Sequence, residues 1–260
     1  MAIDIELASL NVRGLRDKLK RLTLFRHFKK HYKNAIIMLQ ETHSQPDDEI
    51  QWKREWEGDI RFSHFASDSR GVCTLFPPGY DFQITSEIKD IQGRILILSV
   101  HVDVNEFCIA NVYAPTKNND ALQCNFLNEL WDHVRDLTGS NLIIGGDFNI
   151  TLNPKLDKMG GTNETTSNYR TLVTDFMTDA EISDFWRKKN PGVKQYTWVS
   201  PDGRIRSRLD FFLIADFLES HIKSIRIEPS IKSDHRLIYM HLQGKEYHKR
   251  GPGFWKSFGG

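Results

Sequence analysis

The chain holds 260 residues, 39% hydrophobic and 27% charged, with a formal net charge of +1. That is enough to bury one substantial core, within the range of a single large α/β or β-sandwich domain, and it lacks the strongly basic balance usual for a DNA-binding domain. No segment approaches the roughly 18 consecutive apolar residues of a membrane span, and the start at Met1 to Glu6 lacks the regions of a secretory signal. The three cysteines, Cys73, Cys108 and Cys124, are odd in number and show no CxxC pairing. This argues against a disulfide framework and a zinc site and fits an intracellular, reducing compartment.

Taken in chain order, Ile3 to Val12 alternates apolar and polar residues before turning apolar, which predicts a strand. Leu15 to Tyr32 has helical spacing, with Leu15, Leu19, Leu22, Phe25 and Phe28 on one predicted face. Ala35 to Gln40 is a continuous apolar run, and Arg94 to Val102 and Phe107 to Tyr113 read as paired buried strands. Helical spacing returns at Leu122 to Leu137 and at Tyr169 to Thr178, with the apolar run Asn141 to Gly145 between them. Pro77-Pro78-Gly79 and Pro201-Asp202-Gly203 supply turns. Many short strands with interspersed helices predict two packed sheets flanked by helices, in one domain spanning residues 1–243. Residues 244–260 form a basic tail with Lys245, Lys249, Arg250 and Lys256.

Two internal clusters concentrate positive charge. From Arg13 to Lys33 there are nine Lys and Arg residues against the single acid Asp17. A solvated helix face explains that run as well as a binding surface does. Arg204, Arg206 and Arg208 alternate in a second cluster that adjoins an apolar strand.

Polar residues gather where the predicted strands end: Asn11; Gln40 with Glu41; Asn111 with Tyr113; Asp147 with Asn149; Asp210; and Asp234 with His235. Strand ends that converge on one edge are where loops carry chemistry. Asp210 lies within the apolar stretch Leu209 to Ile214 and needs a partner, since an unpaired buried carboxylate costs several kcal/mol, about 3 or more. It could fix the tautomer of His235, the side chain that titrates near neutral pH. Glu41, with Asn11 or Asp234 beside it, offers the oxygen donors that a hard cation such as Mg²⁺ prefers. Asp147 would orient an attacking water, and Asn149 would donate to phosphoryl oxygens. Taken singly, each has a plainer reading as a turn residue, a surface acid or a cap.

The ordered set Asn11-Val12-Arg13-Gly14-Leu15, Gln40-Glu41-Thr42, Asn111-Val112-Tyr113-Ala114-Pro115, Gly146-Asp147-Phe148-Asn149, Tyr196-Thr197-Trp198, Arg208-Leu209-Asp210 and Ser233-Asp234-His235 resembles the endonuclease/exonuclease/phosphatase superfamily over about nine tenths of the chain. Within it, the chain looks most like the apurinic-type endonuclease domain of LINE retrotransposons, of the L1 or Tx1-like kind. Asp184-Phe185-Trp186-Arg187 and the tail Gly251-Pro252-Gly253-Phe254-Trp255-Lys256 also point there.

The resemblance implies an α/β class fold: a DNase I-like, four-layered α/β sandwich of two mostly antiparallel sheets flanked by helices. It implies a phosphodiesterase using Mg²⁺, with Mn²⁺ as the alternative, in which Asn11, Glu41, Tyr113, Asp147, Asn149, Asp210, Asp234 and His235 occupy the functional positions. Glu41, Asn11 and Asp234 would hold or order the metal. Thr197 would approach the DNA backbone, and Lys158 stands where some relatives carry Arg. Double-stranded DNA would be nicked to a 3′-hydroxyl that primes reverse transcription, with a reverse transcriptase domain and element RNA as partners, a nuclear site of action and no membrane. The hairpin Val199 to Ser207, carrying Arg204 and Arg206, is expected to enter the minor groove, where arginine favours narrow A·T-rich stretches. Rival readings are an abasic-site repair endonuclease and a catalytically inactive DNA-binding module on the same fold.

Overall fold

The computed structural model describes residues 4–80, 82–102, 105–116, 120–137, 139–161 and 167–244. The basic tail beyond Gly244 lies outside them, as does the 162–166 part of the Gly- and Thr-rich segment. The chain runs β1 (Asp4–Asn11), α1 (Lys18–His31), β2 (Ala35–Gln40), α2 (Glu49–Trp56), β3 (Ile60–Ser63), β4 (Val72–Leu75), β5 (Gln83–Lys89), β6 (Ile95–Val102), β7 (Asn105–Tyr113), α3 (Asp120–Val134) and β8 (Asn141–Asp147). It continues through α4 (Pro154–Asp157), β9 (Lys158–Met159), α5 (Asn168–Asp179), β10 (Ile182–Ser183), α6 (Phe185–Lys189), β11 (Trp198–Val199), β12 (Arg206–Ser207), β13 (Asp210–Ala215), β14 (Ile222–Glu228) and β15 (Leu237–Gln243). No described helix is long and apolar enough to cross a membrane.

Two six-stranded sheets form, in the orders β14-β15-β1-β2-β4-β3 and β10-β13-β8-β7-β6-β5. Both are mixed in the same way. The central pairs, β1 with β2 and β7 with β8, are parallel, and the other pairs are antiparallel. A third small sheet, β11-β12-β9, stands beside them. Three apolar layers hold the sandwich together. Ile5, Leu7, Ile36, Met38, Ile109, Ile143 and Phe212 pack between the sheets. Leu24, Phe25 and Phe28 of α1 and Trp52 and Trp56 of α2 cover the outer face of the first sheet. Phe126, Leu127 and Leu130 of α3 and Tyr169, Val173 and Phe176 of α5 cover the second. This is the expected four-layered arrangement.

Side-chain parity explains how this core delivers the site. Alternate residues of a strand face one side, so Leu7 in the inter-sheet core puts Ser9 and Asn11 on the same side, and Met38 does the same for Gln40. Ile109 similarly carries Asn111 and Tyr113, Ile143 carries Asp147, and Phe212 carries Asp210. The inward faces are apolar in mid-strand and polar at one end, and those ends lie together. The register confirms it: Asn11 pairs with Gln40, Tyr113 with Asp147, and Asp147 with Asp210. Gly146 is obligatory here, because its φ is +148° and a β-carbon would stand 1.9 Å from the Val112 carbonyl oxygen.

The helix between residues 15 and 32 differs from the expectation. It starts at Lys18, and Leu19 is 70% exposed, whereas Arg21 is buried. The face toward the sheet is Arg21, Leu24, Phe25 and Phe28. Apolar spacing placed Leu15, Phe25 and Phe28 in the core but put exposed Leu19 on this face and passed over Arg21, a buried arginine held by Glu55 at 2.6 Å.

Candidate active site

The polar strand ends meet in a cleft of about 620 Å³ whose walls include Asn11, Glu41, Asp147, Asn149, Asp234 and His235. The connected centre spans both sheets. Asn11 Nδ2 donates to Glu41 Oε1 and to Asp147 Oδ2, each at 2.9 Å. The loop from Ser233 to His235 is tied back to β1, since Ser233 Oγ donates to the Asn11 carbonyl at 2.6 Å. His235 Nδ1 meets Asp210 Oδ2 at 2.9 Å, and its Nε2 lies 3.9 Å from Asp147 Oδ2. The latter is too long for a direct hydrogen bond.

Electrostatics assigns protons within this centre. Burial raises the Asp147 carboxyl, and the Asp210 charge raises it further, to about 7. Burial disfavours the charged form of His235, but the charge and hydrogen bond of Asp210 outweigh it and push the imidazole up to about 9. Near neutral pH the ring is therefore a cation oriented by Asp210, and Asp147 is a base poised close to ambient pH. Burial, then Glu41, raises the Tyr113 phenol, which stays a neutral donor.

Asp147, Asp210 and His235 offer ligand atoms within 4.8 Å of one another. An imidazolium committed to a carboxylate is a poor metal ligand, however. A hard divalent cation fits the opposite rim better. There the Glu41 carboxylate is partly exposed, and Asp234 Oδ1 is buried without a hydrogen-bond partner. The other Asp234 oxygen is held by Arg13 Nη1 at 3.0 Å and Trp198 Nε1 at 3.2 Å. Glu41 itself has φ +52°, a left-handed conformation unusual for a glutamate, which aims its side chain away from the strand direction.

Several sequence expectations need correction. Thr197 is fully buried, and its hydroxyl accepts from the Leu209 and Asp210 amides at 2.9 and 3.1 Å. It steadies the entry to β13, with its side chain turned to these amides. Asn149 Nδ2 donates to the Ala114 carbonyl at 2.8 Å, fastening the segment after Tyr113, so only its second N–H is left for a phosphoryl oxygen. Arg208 does not share a surface with Arg204 and Arg206. It is 1% exposed and bonded to Asp157 at 2.8 Å and Asp184 at 2.6 Å. Arg204 and Arg206 are exposed, at the tip and base of the hairpin formed by β11 and β12. Half-buried Lys158 lines the cleft with Pro201 and Ile205.

Sequence reading missed Arg94 and Asp157 and gave no role to Gln40 and Asn111. Arg94 lies over the Tyr113 ring, 5.0 Å from its centroid, and donates to the Tyr113 carbonyl at 3.0 Å. Gln40 and Asn111, seen only as strand ends, bridge the sheets beneath the site. Gln40 Nε2 donates to Asn111 Oδ1 at 2.8 Å, and Asn111 Nδ2 donates to the Cys73 carbonyl at 2.9 Å. Asp157, buried with Arg187 and Arg208, ties α4 to α6 and to the start of β13. The only advance signal for it was the rule that buried arginines need acids.

Residues 8–235 match the model of the Endonuclease/Exonuclease/phosphatase family. The chain is 31% identical over 244 residues to the "Transposon TX1 uncharacterized 149 kDa protein" of Xenopus laevis, across 92% of this chain but only 18% of that protein's length. AP endonuclease LMAP from Leishmania major superposes with a TM-score of 0.80 at 19% identity, over 93% of this chain and 88% of that one. The 3′-5′ exonuclease NExo from Neisseria meningitidis gives 0.73 at 18% identity, over 92% and 99%. At such identities these structures speak to the fold alone.

Proposed function

The chain belongs to the endonuclease/exonuclease/phosphatase family, and we propose that it is a metal-dependent DNA endonuclease that nicks one strand of a duplex for a LINE-type retrotransposon. The new 3′-hydroxyl would prime reverse transcription. The observation that carries this reading is the juxtaposition of two hydrogen-bonded groups, Asp210 with His235 and Asp147 with Asn11 and Glu41, set 3.9 Å apart between His235 and Asp147, which brings a fixed cation, a base and an oxygen-donor rim into one cleft. Likeness to a transposon protein favours the retrotransposon setting over abasic-site repair. Because the chain spans 18% of that relative, the reverse transcriptase, element RNA and nuclear site of action belong to the proposal.

The site's own residues account for the steps of phosphodiester hydrolysis. The imidazolium of His235 and the phenol of Tyr113 face the non-bridging oxygens of the scissile phosphate and offset the charge that builds up in the transition state. Asp147 takes a proton from the attacking water, while the second N–H of Asn149 donates to a phosphoryl oxygen. Asp210 keeps the ring in one orientation and Asn11 keeps Asp147 beside it. Glu41, with Asn11 and Asp234 ordering its surroundings, would hold Mg²⁺ or Mn²⁺, which supplies charge stabilisation at the leaving 3′ oxygen. Exposed Arg204 and Arg206 would read minor-groove width, with Lys158 on the cleft wall contacting the backbone.

The test is the nicking of supercoiled plasmid with Mg²⁺, with strand ends mapped, beside an oligonucleotide holding one abasic site. Nicks in intact plasmid that leave extendable 3′-hydroxyls support the proposal. Cleavage confined to the abasic substrate would establish the repair reading, and no cleavage of either under Mg²⁺ or Mn²⁺ would leave the inactive-module reading.

A further inference from the structure

The positive run from Arg13 to Lys33 is sorted by the fold into three sets. Arg13, Arg16, Arg21 and Lys29 are neutralised by Asp234, Asp48, Glu55 and Glu57. Lys20 donates to the Val12 and Arg13 carbonyls. Lys18, Arg26, Lys30 and Lys33 are exposed and make no ion pair among the described residues. Arg26 and Lys30 stand one turn apart on α1, so they share a face. His27 and His31 follow them around the helix, with ring centroids 4.6 Å apart.

Beside the histidines opens a second cavity, of about 540 Å³, between α1 and the edge of the first sheet, floored by Tyr32 and Tyr239. The Arg226 guanidinium lies 4.5 Å over the Tyr239 ring. Glu228, the acid in this wall, is already taken up by Arg226 at 2.7 Å and the Tyr32 hydroxyl at 2.5 Å. A row of unpaired cations on α1 therefore runs beside a cavity lined by the accessible His27 and His31 rings, a flat guanidinium and two buried tyrosines. The rings suit an unstacked base, and the cations suit the phosphates beside it. A duplex keeps its bases stacked and could use only the cations.

We propose that this surface binds single-stranded nucleic acid. Phosphates would lie along Arg26, Lys30 and Lys33, and one base would enter the cavity by His31 and Arg226. The inference rests on the charge row and the cavity, and it stands whether or not the cleft nicks DNA.

The experiment is fluorescence anisotropy with labelled oligouridylate of about a dozen nucleotides, with an oligodeoxyuridylate and a blunt duplex of the same length as parallel arms. Arg26→Glu with Lys30→Glu should weaken single-strand binding about tenfold or more and lower the salt slope by about 1.4, from two phosphate contacts. His27→Ala with His31→Ala, which removes the accessible rings and no paired charge, should weaken binding several-fold and leave the slope nearly unchanged. Plasmid nicking, or the thermal unfolding midpoint if the parent does not nick, should match the parent in both variants. Preference for RNA, for DNA or for neither supports the site and identifies its source. Parent-like single-strand binding by the charge-reversed variant, equal binding of the blunt duplex, or displacement by a cleft-bound duplex would overturn it.

Discussion

At the scale of single residues, the centre depends on one carboxylate that never meets the cleft surface. Asp210 is 1% exposed and its oxygens point at His235 Nδ1. Replacing it by asparagine preserves volume but removes the charge that makes the ring a cation and fixes its orientation. Asp210→Asn should lower single-turnover nicking by about 10²- to 10⁴-fold, the range of a proton-handling contribution, and a rate within about threefold of the parent would contradict the assignment. Glu41 acts differently because its carboxylate is on the rim. Glu41→Gln keeps the hydrogen bond from Asn11 possible while halving the oxygen donors, so its defect should appear in the metal requirement. The Mg²⁺ concentration for half-maximal nicking should rise about tenfold or more. Rescue by added Mg²⁺ would separate this from a folding defect, and a purely kinetic loss at unchanged half-saturation would point away from metal binding. Asn11, Asp147 and Asp210 end inward parities, since Leu7 to Asn11, Ile143 to Asp147 and Phe212 to Asp210 place polar groups where an apolar residue is expected, whereas Glu41 was legible only as the acid that follows the apolar run ending at Gln40. The working contacts of Thr197 and Asn149 were not legible, since a buried hydroxyl accepting two amides looks the same in sequence as one that faces a ligand.

At the scale of elements, Arg208 shows where spacing misleads. Arg204, Arg206 and Arg208 alternate like one strand face, but β12 ends at Ser207 and β13 begins at Asp210. The intervening break turns Arg208 inward onto acids that come 24 and 51 positions earlier. Nothing local to Asp157 marks it, because its partners are brought up by tertiary structure. The Arg208 ion pair and hydrogen bonds hold the Asp157 carboxyl below its ordinary value against the opposing effect of burial. Its folded pKa is thus below its unfolded one, near 3.9, so its stabilisation is full above about pH 4 and is lost as the pH falls through the lower folded value. Asp157→Asn should cost about 3 to 5 kcal/mol at neutral pH by leaving buried guanidinium charge uncompensated. The gap from the parent should narrow below about pH 4. Urea unfolding across that range checks both, and a loss below about 0.5 kcal/mol at pH 7 would refute the role. The hairpin of β11 and β12 presents Arg204 and Arg206 to solvent. Replacing residues 201–204 by a Gly-Ser turn should redistribute nick positions on a plasmid while nicking persists, and an unchanged map would show that site choice lies elsewhere.

At the scale of the whole molecule, the two sheets repeat one pairing scheme and contribute opposite halves of the site: Asn11, Glu41 and His235 come from the first sheet and its loops, Tyr113, Asp147 and Asp210 from the second. Apolar packing between them is non-directional, so on its own it does not fix how the halves slide. The Gln40 to Asn111 hydrogen bond is directional, is fully buried, and lies one residue from Glu41 and two from Tyr113. It is therefore suited to set the register of the rim against the centre. Asn111→Leu keeps similar bulk, removes the acceptor that draws Gln40 toward the second sheet, leaving it only Ser9 Oγ and the Met38 carbonyl within the first, and takes the buried Cys73 carbonyl's side-chain donor away. The cost should be about 1 to 3 kcal/mol, read from urea unfolding. If the bond also sets register, nicking in the variant should need more Mg²⁺ under conditions where it is still almost wholly folded, because Glu41 and Asp147 are then held less firmly together. Gln40→Leu combined with Asn111→Leu removes both polar partners, so it should recover part of the lost stability without recovering the metal response. A double variant that regains both would show that the pair only avoids an unsatisfied buried group, and the alignment of the sheets would have to be credited to the Asn11 to Asp147 bond at the site itself.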